Sequence, residues 1–385
     1  MSAAPSTDHG SLLRRALAKA ARERVDQVGG MWLCIEGGQG LLRQSAFSFT
    51  ASVGAFPAPF MLLPSLAILM GLVFLIWSAD RFVDGASATA HHFSVPALLV
   101  GMLVVGFGTS APELAVSVLA ALDGRPALAL GNAWGSNILN TSLILGTTAL
   151  LLPIAVQSGV LRKELPILMA ATGLSAALVW DGVLTRGDSL LLLAVFLALI
   201  IWSILAARSQ GRDTLAMETA TELRQGAMPL QRALIWLALG LVVLVVSSHL
   251  LVWGAVAIAQ TLGMSDAVIG LTVVAIGTSL PELAACIAAA RKGEDGIVLG
   301  NVLGSSLFNT LAVVGLAGAI APMDIEPALL KRDLPVMAGL TVLLFVMGWG
   351  FKSPGRINRA EGGLLALAYL TYTGWLLTTL SSASS

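Results

Sequence analysis

Displaced by 169 residues, the chain lies on itself. GTSAPELA at 108–115 falls on GTSLPELA at 277–284, and LGNAWGSNILNT at 130–141 falls on LGNVLGSSLFNT at 299–310. Over 106–146 against 275–315, 18 of 41 positions are identical. The register runs without a gap from Gly71 over Gly240 to Pro166 over Pro335, and Arg162-Lys163-Glu164 coincides with Lys331-Arg332-Asp333. An offset held that long is a duplication, so the fold must contain two equivalent units.

The solvent those units need follows from composition. The chain is 56% hydrophobic and 11% charged, against about 25% charged in an average soluble domain. Apolar runs fall at roughly 61–79, 95–121, 127–153, 165–180, 189–207, 233–259, 267–290, 296–322, 334–351 and 362–380. Each approaches the roughly 20 residues that cross a hydrocarbon core of about 30 Å. The expected fold is an all-α polytopic membrane protein with ten transmembrane helices. Its hydrophilic connection, 208–232, divides them into a first repeat at 61–207 and a second at 233–381. Five spans per unit is an odd number, so the second unit enters the bilayer from the opposite side. The two are expected to be inverted-topology repeats, a plan in which the substrate site lies near the midplane on broken helices.

Charge placement orients the chain. Of the 16 Lys and Arg beyond residue 60, 12 lie in the loops after runs 1, 3, 5, 7 and 9. By the positive-inside rule the central loop is cytoplasmic and both ends of the ten-span unit face outward. The first 60 residues depart from this pattern, with six more Lys and Arg in and around the amphipathic stretch 11–28. Three readings stay open: an interfacial or cytoplasmic helix with an extra crossing, a targeting segment, or sequence upstream of the true start at Met61. The balance of 22 basic and 22 acidic residues gives no reason to expect nucleic acid as a partner. Cys34 and Cys286 do not make a disulfide framework. The expected partner is the lipid bilayer, with no cofactor and no obligate protein partner.

Among the acids, only Glu113 and Glu282 fall inside long apolar runs, at equivalent positions, and no Lys or Arg lies inside any run. An ionised acid at mid-membrane costs several kcal/mol unless it is compensated. The counter-charge must come from outside the chain, as a mobile cation or a proton. Gly108, Pro112, Gly277 and Pro281 supply helix breaks beside them, and freed carbonyls there need a cavity or other partners. On a helix, Thr109, Ser110 and Glu113 stand at i, i+1 and i+4, and Thr278, Ser279 and Glu282 repeat this. Ser136 and Asn140 are four apart, as are Ser305 and Asn309. Such an oxygen-rich set suits Ca²⁺, which takes six to eight oxygen ligands. Two carboxylates match the charge of one Ca²⁺ or two Na⁺, so occupancy by the two ions is mutually exclusive, which is the basis of exchange. Taken singly, a membrane Ser or Thr more often bonds back to its own turn, and an Asn pairs with a neighbouring helix. Joint recurrence in both halves favours the site. His91, His92 and His249 read as exposed or structural, and Cys286, at the position of Ser117, as a packing residue.

Through GTSAPELA…LGNAWGSNILN and GTSLPELA…LGNVLGSSLFN the chain resembles the sodium/calcium exchanger family of the cation/calcium exchanger superfamily, in its short bacterial and archaeal form. The resemblance covers 61–380, and its bacterial members begin at the equivalent of Met61. It implies ten helices and alternating access to a central site. Glu113 and Glu282 would be shared Ca²⁺/Na⁺ carboxylates; Thr109, Ser110, Ser136, Thr278, Ser279 and Ser305 would be further Na⁺ ligands. Carbonyls near Gly106 and Ala275 would complete the outer positions. Asn140 matches the family's asparagine. Asn309 stands where some archaeal and potassium-dependent relatives have aspartate, which argues against potassium co-transport.

The expected function is an inner-membrane antiporter in which Na⁺ entry drives Ca²⁺ out. A Ca²⁺/H⁺ antiporter is the alternative, because a proton can also neutralise a buried Glu. An intramembrane enzyme is the remote one, since the chain lacks a HExxH or GxSxG motif and a nucleophile paired with a base.

Overall fold

The computed structural model describes residues 59–93, 95–156, 158–210, 228–262, 275–348 and 355–383. The N-terminal stretch 11–28, most of the 208–232 linker and the start of the seventh apolar run lie outside the described residues. Among the described residues, each of the ten apolar runs contains helix. The first half comprises α1 Pro59–His92, α2 Ala97–Thr109, α3 Ala111–Leu122, α4 Pro126–Leu139, α5 Leu145–Leu151, α6 Ser158–Leu178 and α7 Arg186–Gln210. The second comprises α8 Leu230–Thr261, α9 Ala275–Thr278, α10 Leu280–Arg291, α11 Asp295–Leu307, α12 Val314–Ile320, α13 Leu334–Gly348 and α14 Arg359–Ala383.

By length and hydropathy, four described stretches qualify as membrane spans: Met61–His92, Arg186–Leu205, Leu230–Thr261 and Asp295–Ile320; the bent pair α2–α3 makes a fifth. The other runs are helical but interrupted, short or more polar. The α10 and α13 helices have 12 and 15 residues, and α6 carries Arg162, Lys163 and Glu164 in its first half. The first run is also longer than its apolar content suggests. It stays helical past Asp80, Arg81 and Asp84 to His92, because polar residues beyond the apolar run still make helical hydrogen bonds. At 34 residues and about 1.5 Å per residue, α1 exceeds the thickness of a hydrocarbon core.

The two halves meet reciprocally. A Cβ on Gly71 of α1 would stand 2.8 Å from the backbone of Leu251 on α8, and one on Gly240 of α8 would stand 2.7 Å from the backbone of Phe82 on α1. Leu251 is the repeat counterpart of Phe82, as Gly240 is of Gly71. When residue i meets j and j's counterpart meets i's, the contact has a two-fold relation. Glycine is needed there because the helix backbones approach too closely for any side chain.

The same exchange joins the connections. β1 (Ile154–Val156) pairs antiparallel with β4 (Gly355–Ile357), and β2 (Val183–Leu184) pairs with β3 (Met323–Asp324). Around β1 and β4, Asp295 accepts from the backbone N–H of Ala155 at 2.9 Å. Lys292, three residues before Asp295, contacts Asp84 at 2.7 Å and the Asp80 carbonyl at 2.6 Å. His92 contacts the Met228 carbonyl at 2.7 Å. The loops after runs 1, 3, 5, 7 and 9 therefore gather at one end of the helices. The loops after runs 4 and 8 join at the other, where Ile325 donates to Gly182 at 2.7 Å.

Burial separates the helices by role. An 18-residue window of the Asp295–Ile320 stretch is wholly buried within the protein, whereas 28% of the corresponding window of Met61–His92 is buried. Large apolar side chains such as Leu62, Leu66 and Phe74 cover α1's outside. The buried stretch instead carries Gly300, Asn301, Gly304, Ser305 and Asn309, small and polar residues that let neighbours approach and that can hydrogen-bond them.

Candidate ion-binding site

The site forms where the helices break. α2 and α3 meet at a 47° bend, with Ser110 at φ −84°, ψ 8° between them and Pro112 in the first turn of α3. Ser279 lies likewise at φ −99°, ψ 11° before α10, which has Pro281 in its first turn. Proline lacks the N–H an interior helical residue would donate, and is best tolerated in a first turn. The break places Glu113 and Glu282 in the first turns of new helices, where the positive end of the helix dipole favours a carboxylate.

This revises the expectation that each Thr-Ser-Glu triad lines one continuous helical face. Ser110 donates not to Glu113 but to Oε1 of Glu282, at 3.1 Å, and Ser279 donates to Oε1 of Glu113, at 3.3 Å. The serines cross between halves because the bend turns them away from their own glutamates. Both carboxylates are fully buried, and among the described residues neither makes an ion pair. The second oxygen of each, Oε2, is buried without a hydrogen-bond partner.

The other expected residues differ in their surroundings. Thr109 is buried, and its single hydroxyl proton lies within reach of Val105 O at 3.0 Å, Gly106 O at 3.4 Å and Asn301 Oδ1 at 3.2 Å. Ser305 donates to the Gly106 carbonyl at 3.1 Å, which also accepts from the Ser110 N–H at 3.1 Å. That carbonyl, expected as an outer ligand, is engaged by two donors here. Ser136 is buried. Asn140 opens a π-helical turn, Asn140–Ile144, and Asn309 lies in its counterpart, Phe308–Val313. Such turns are frequent at functional sites. The side-chain amides of both asparagines are buried without partners. Thr278 is half-buried and, with Pro112, Ser248, His249, Gly277 and Pro281, lines a small cavity that reaches both breaks. His249 therefore borders the site, although its sequence context marked it as structural. Ala275 begins α9.

Two asparagines with no assigned task in the sequence touch the segments that carry the acids. Asn132 donates to the Glu113 carbonyl at 3.2 Å and to Ser117 Oγ at 3.0 Å. Asn301 donates to the Glu282 carbonyl at 3.2 Å and to Cys286 Sγ at 3.2 Å. Both sit in the repeated LGN triplet, which was the signal that could have found them. Asn137, opposite Ser306 in the repeat, donates to Thr310 Oγ1 at 2.8 Å.

Chemically, the two buried acids lie among hydroxyl and amide oxygens, with one imidazole and one thiol nearby. Among the described residues no cluster of three or more His, Cys, Asp and Glu could hold a metal ion. Two carboxylates among hydroxyls and amides suit a hard cation, and no sulfur or imidazole cluster favours a softer one.

The profile of the family described as sodium/calcium exchanger protein matches residues 64–205 and 232–378. A protein named "Putative antiporter CaxA" from Alkalimonas amylolytica is 46% identical over 313 residues, covering 81% of this chain and 98% of that protein. The inner membrane protein YrbG of Escherichia coli K12 is 39% identical over 320 residues, covering 82% and 97%. In structure, the chain is similar to the sodium-calcium exchanger NCX_Mj soaked with zero Na⁺ and Ca²⁺. The TM-score is 0.71 at 30% identity, covering 82% of this chain and 99% of that one.

Proposed function

The chain belongs to the sodium/calcium exchanger family, and from that premise we propose that it is an antiporter exchanging Na⁺ for Ca²⁺ by alternating access. Membership of this family makes it a cation/calcium antiporter. Sodium as the coupling ion, the inner membrane as location, a cytoplasmic central loop and ten spans in two inverted repeats are the finer parts of the proposal.

One observation carries it: the crossed Ser–Glu bonds, which leave one unpartnered carboxylate oxygen per glutamate inside the protein. Buried charge of that kind requires a compensating cation or proton. One Ca²⁺ satisfies both carboxylates, and so do two Na⁺, but the oxygens cannot serve both loads fully. The hydroxyl of Thr109, directed at neighbouring acceptors, keeps lone pairs for a cation, as a Na⁺ site needs. The reciprocal α1–α8 contacts support two halves of equal build, so conformations open to either side lie close in energy. The cavity beside Thr278, Pro112 and Pro281 is a route to the cage from α8.

The test is Ca²⁺ uptake by the purified protein in proteoliposomes, with an imposed Na⁺ gradient and, separately, a pH gradient. Uptake driven by Na⁺ is the expected result. Uptake that follows the pH gradient and ignores Na⁺ would replace sodium with protons as the coupling ion.

A further inference from the structure

We infer that Asn132 and Asn301 are positioning residues, fixing the rotation of the helix turns that carry Glu113 and Glu282; this rests on the reading that those glutamates receive the transported ions. Each amide uses its two N–H groups on one neighbouring helix. Asn132 donates to the Glu113 carbonyl and to Ser117, four residues on; Asn301 donates to the Glu282 carbonyl and to Cys286, four residues on. Two bonds one turn apart grip a helix along its length, which a single bond cannot do.

The grip is needed because of the breaks. Glu113 and Glu282 follow Pro112 and Pro281, which have no N–H to donate backward. A helix that begins at such a break is not fixed by the helix before it, and a turn of the new helix about its axis would swing the carboxylate away from the serine of the other half. Held from the side by α4 and α11, each turn keeps its glutamate aimed at the opposite serine.

Asn301 has a second duty. Its Oδ1 accepts from Thr109 at 3.2 Å, so one amide, 1% exposed, links the backbone of Glu282 to a hydroxyl of the other half. Where Asn132 meets a hydroxyl, Asn301 meets the thiol of Cys286. A thiol is the weaker acceptor, so the second grip is the softer.

The test uses the full chain, purified in detergent and reconstituted. Leucine has the branched shape of asparagine, carries no charge and is at home inside a membrane protein, so Asn132→Leu and Asn301→Leu remove the bonds while keeping a branched side chain in place. Equilibrium binding of radioactive Ca²⁺ should weaken about tenfold in each, as is typical when a ligand's supporting partner is lost. Maximal uptake per protein should stay within about twofold. Cys286→Ser, restoring a hydroxyl acceptor, should tighten Ca²⁺ binding about twofold in the parent and have no effect beside Asn301→Leu. Unchanged Ca²⁺ affinity in monodisperse leucine variants would overturn the assignment, as would an equal effect of Cys286→Ser in both backgrounds. If a leucine variant does not fold, Asn132→Ser and Asn301→Ser, too short to bridge, are judged by the same criterion. Glu113→Gln and Glu282→Gln run in parallel. Normal Ca²⁺ binding by either would overturn the ion site itself, whereas its loss there with leucine variants unchanged would overturn only the positioning role.

Discussion

The hydroxyl of Ser110 donates to Oε1 of Glu282 across 3.1 Å, joining the broken helix of one half to the acid of the other. Its counterpart, Ser279 to Glu113 at 3.3 Å, repeats the bond in reverse. Each buried acid is thus bonded by the opposite half, so in the proposed ion site neither repeat holds a complete set of partners.

Because the bonds are reciprocal, their removal should be too. Ser110→Ala and Ser279→Ala should each raise the Ca²⁺ concentration for half-maximal uptake by roughly tenfold, the scale of one hydrogen bond to a charged group. Glu113→Gln and Glu282→Gln should abolish uptake while leaving the protein monodisperse. A serine variant that harms uptake in one half only would contradict a jointly built cage.

In the proposed site, protons and cations compete for the same two carboxylates. Lowering pH adds protons to the cage, neutralises it and weakens Ca²⁺ binding; raising Ca²⁺ should restore uptake at the same pH. Uptake measured over a grid of pH and Ca²⁺ should show the half-saturating concentration rising as pH falls. A fall in maximal rate with no change in that concentration would exclude competition at the site.

The α1–α8 contact leaves no room for a side chain at Gly240. Gly240→Ala would place its Cβ 2.7 Å from the backbone of Phe82, and overpacking of this kind costs about 1–3 kcal/mol. Thermal unfolding in detergent should show a lowered transition. Gly374→Ala, inside a helix at a position where an added Cβ meets nothing within 4 Å, serves as the control and should not lower it.

At one end, Lys292 bonds Asp84 and the Asp80 carbonyl of α1, and Ser87 donates to Glu294. Lys292 and Asp84 are partly exposed, so Lys292→Gln should cost global stability no more than about 1 kcal/mol. Its effect should be local: faster hydrogen exchange in the last turns of α1, which raised salt should mimic in the parent. Equal protection in parent and variant would show that other contacts hold that end.

The 169-residue repeat and the pattern of apolar runs were sufficient to expect helix, which the described part of every run contains, and to single out the pair of acids that the fold buries. These are consequences of local composition and periodicity, which any bilayer-facing chain must obey. Family membership was legible in the two duplicated motifs. The partners of each residue were not. Thr109, Ser110 and Glu113 read as one helical face, yet the bend at Ser110 sends that hydroxyl to Glu282, 172 positions away. Asn132 and Asn301 were visible in the LGN triplets but had no evident task until α4 and α11 were laid against α3 and α10. Gly71 and Gly240 were visible only as matched glycines, and it took the packing of α1 on α8 to show why no side chain fits. A repeat specifies that two units are alike and which residues they share. How one unit's donors meet the other's acceptors depends on the close approach of helices distant in sequence, and only the assembled fold supplies that geometry.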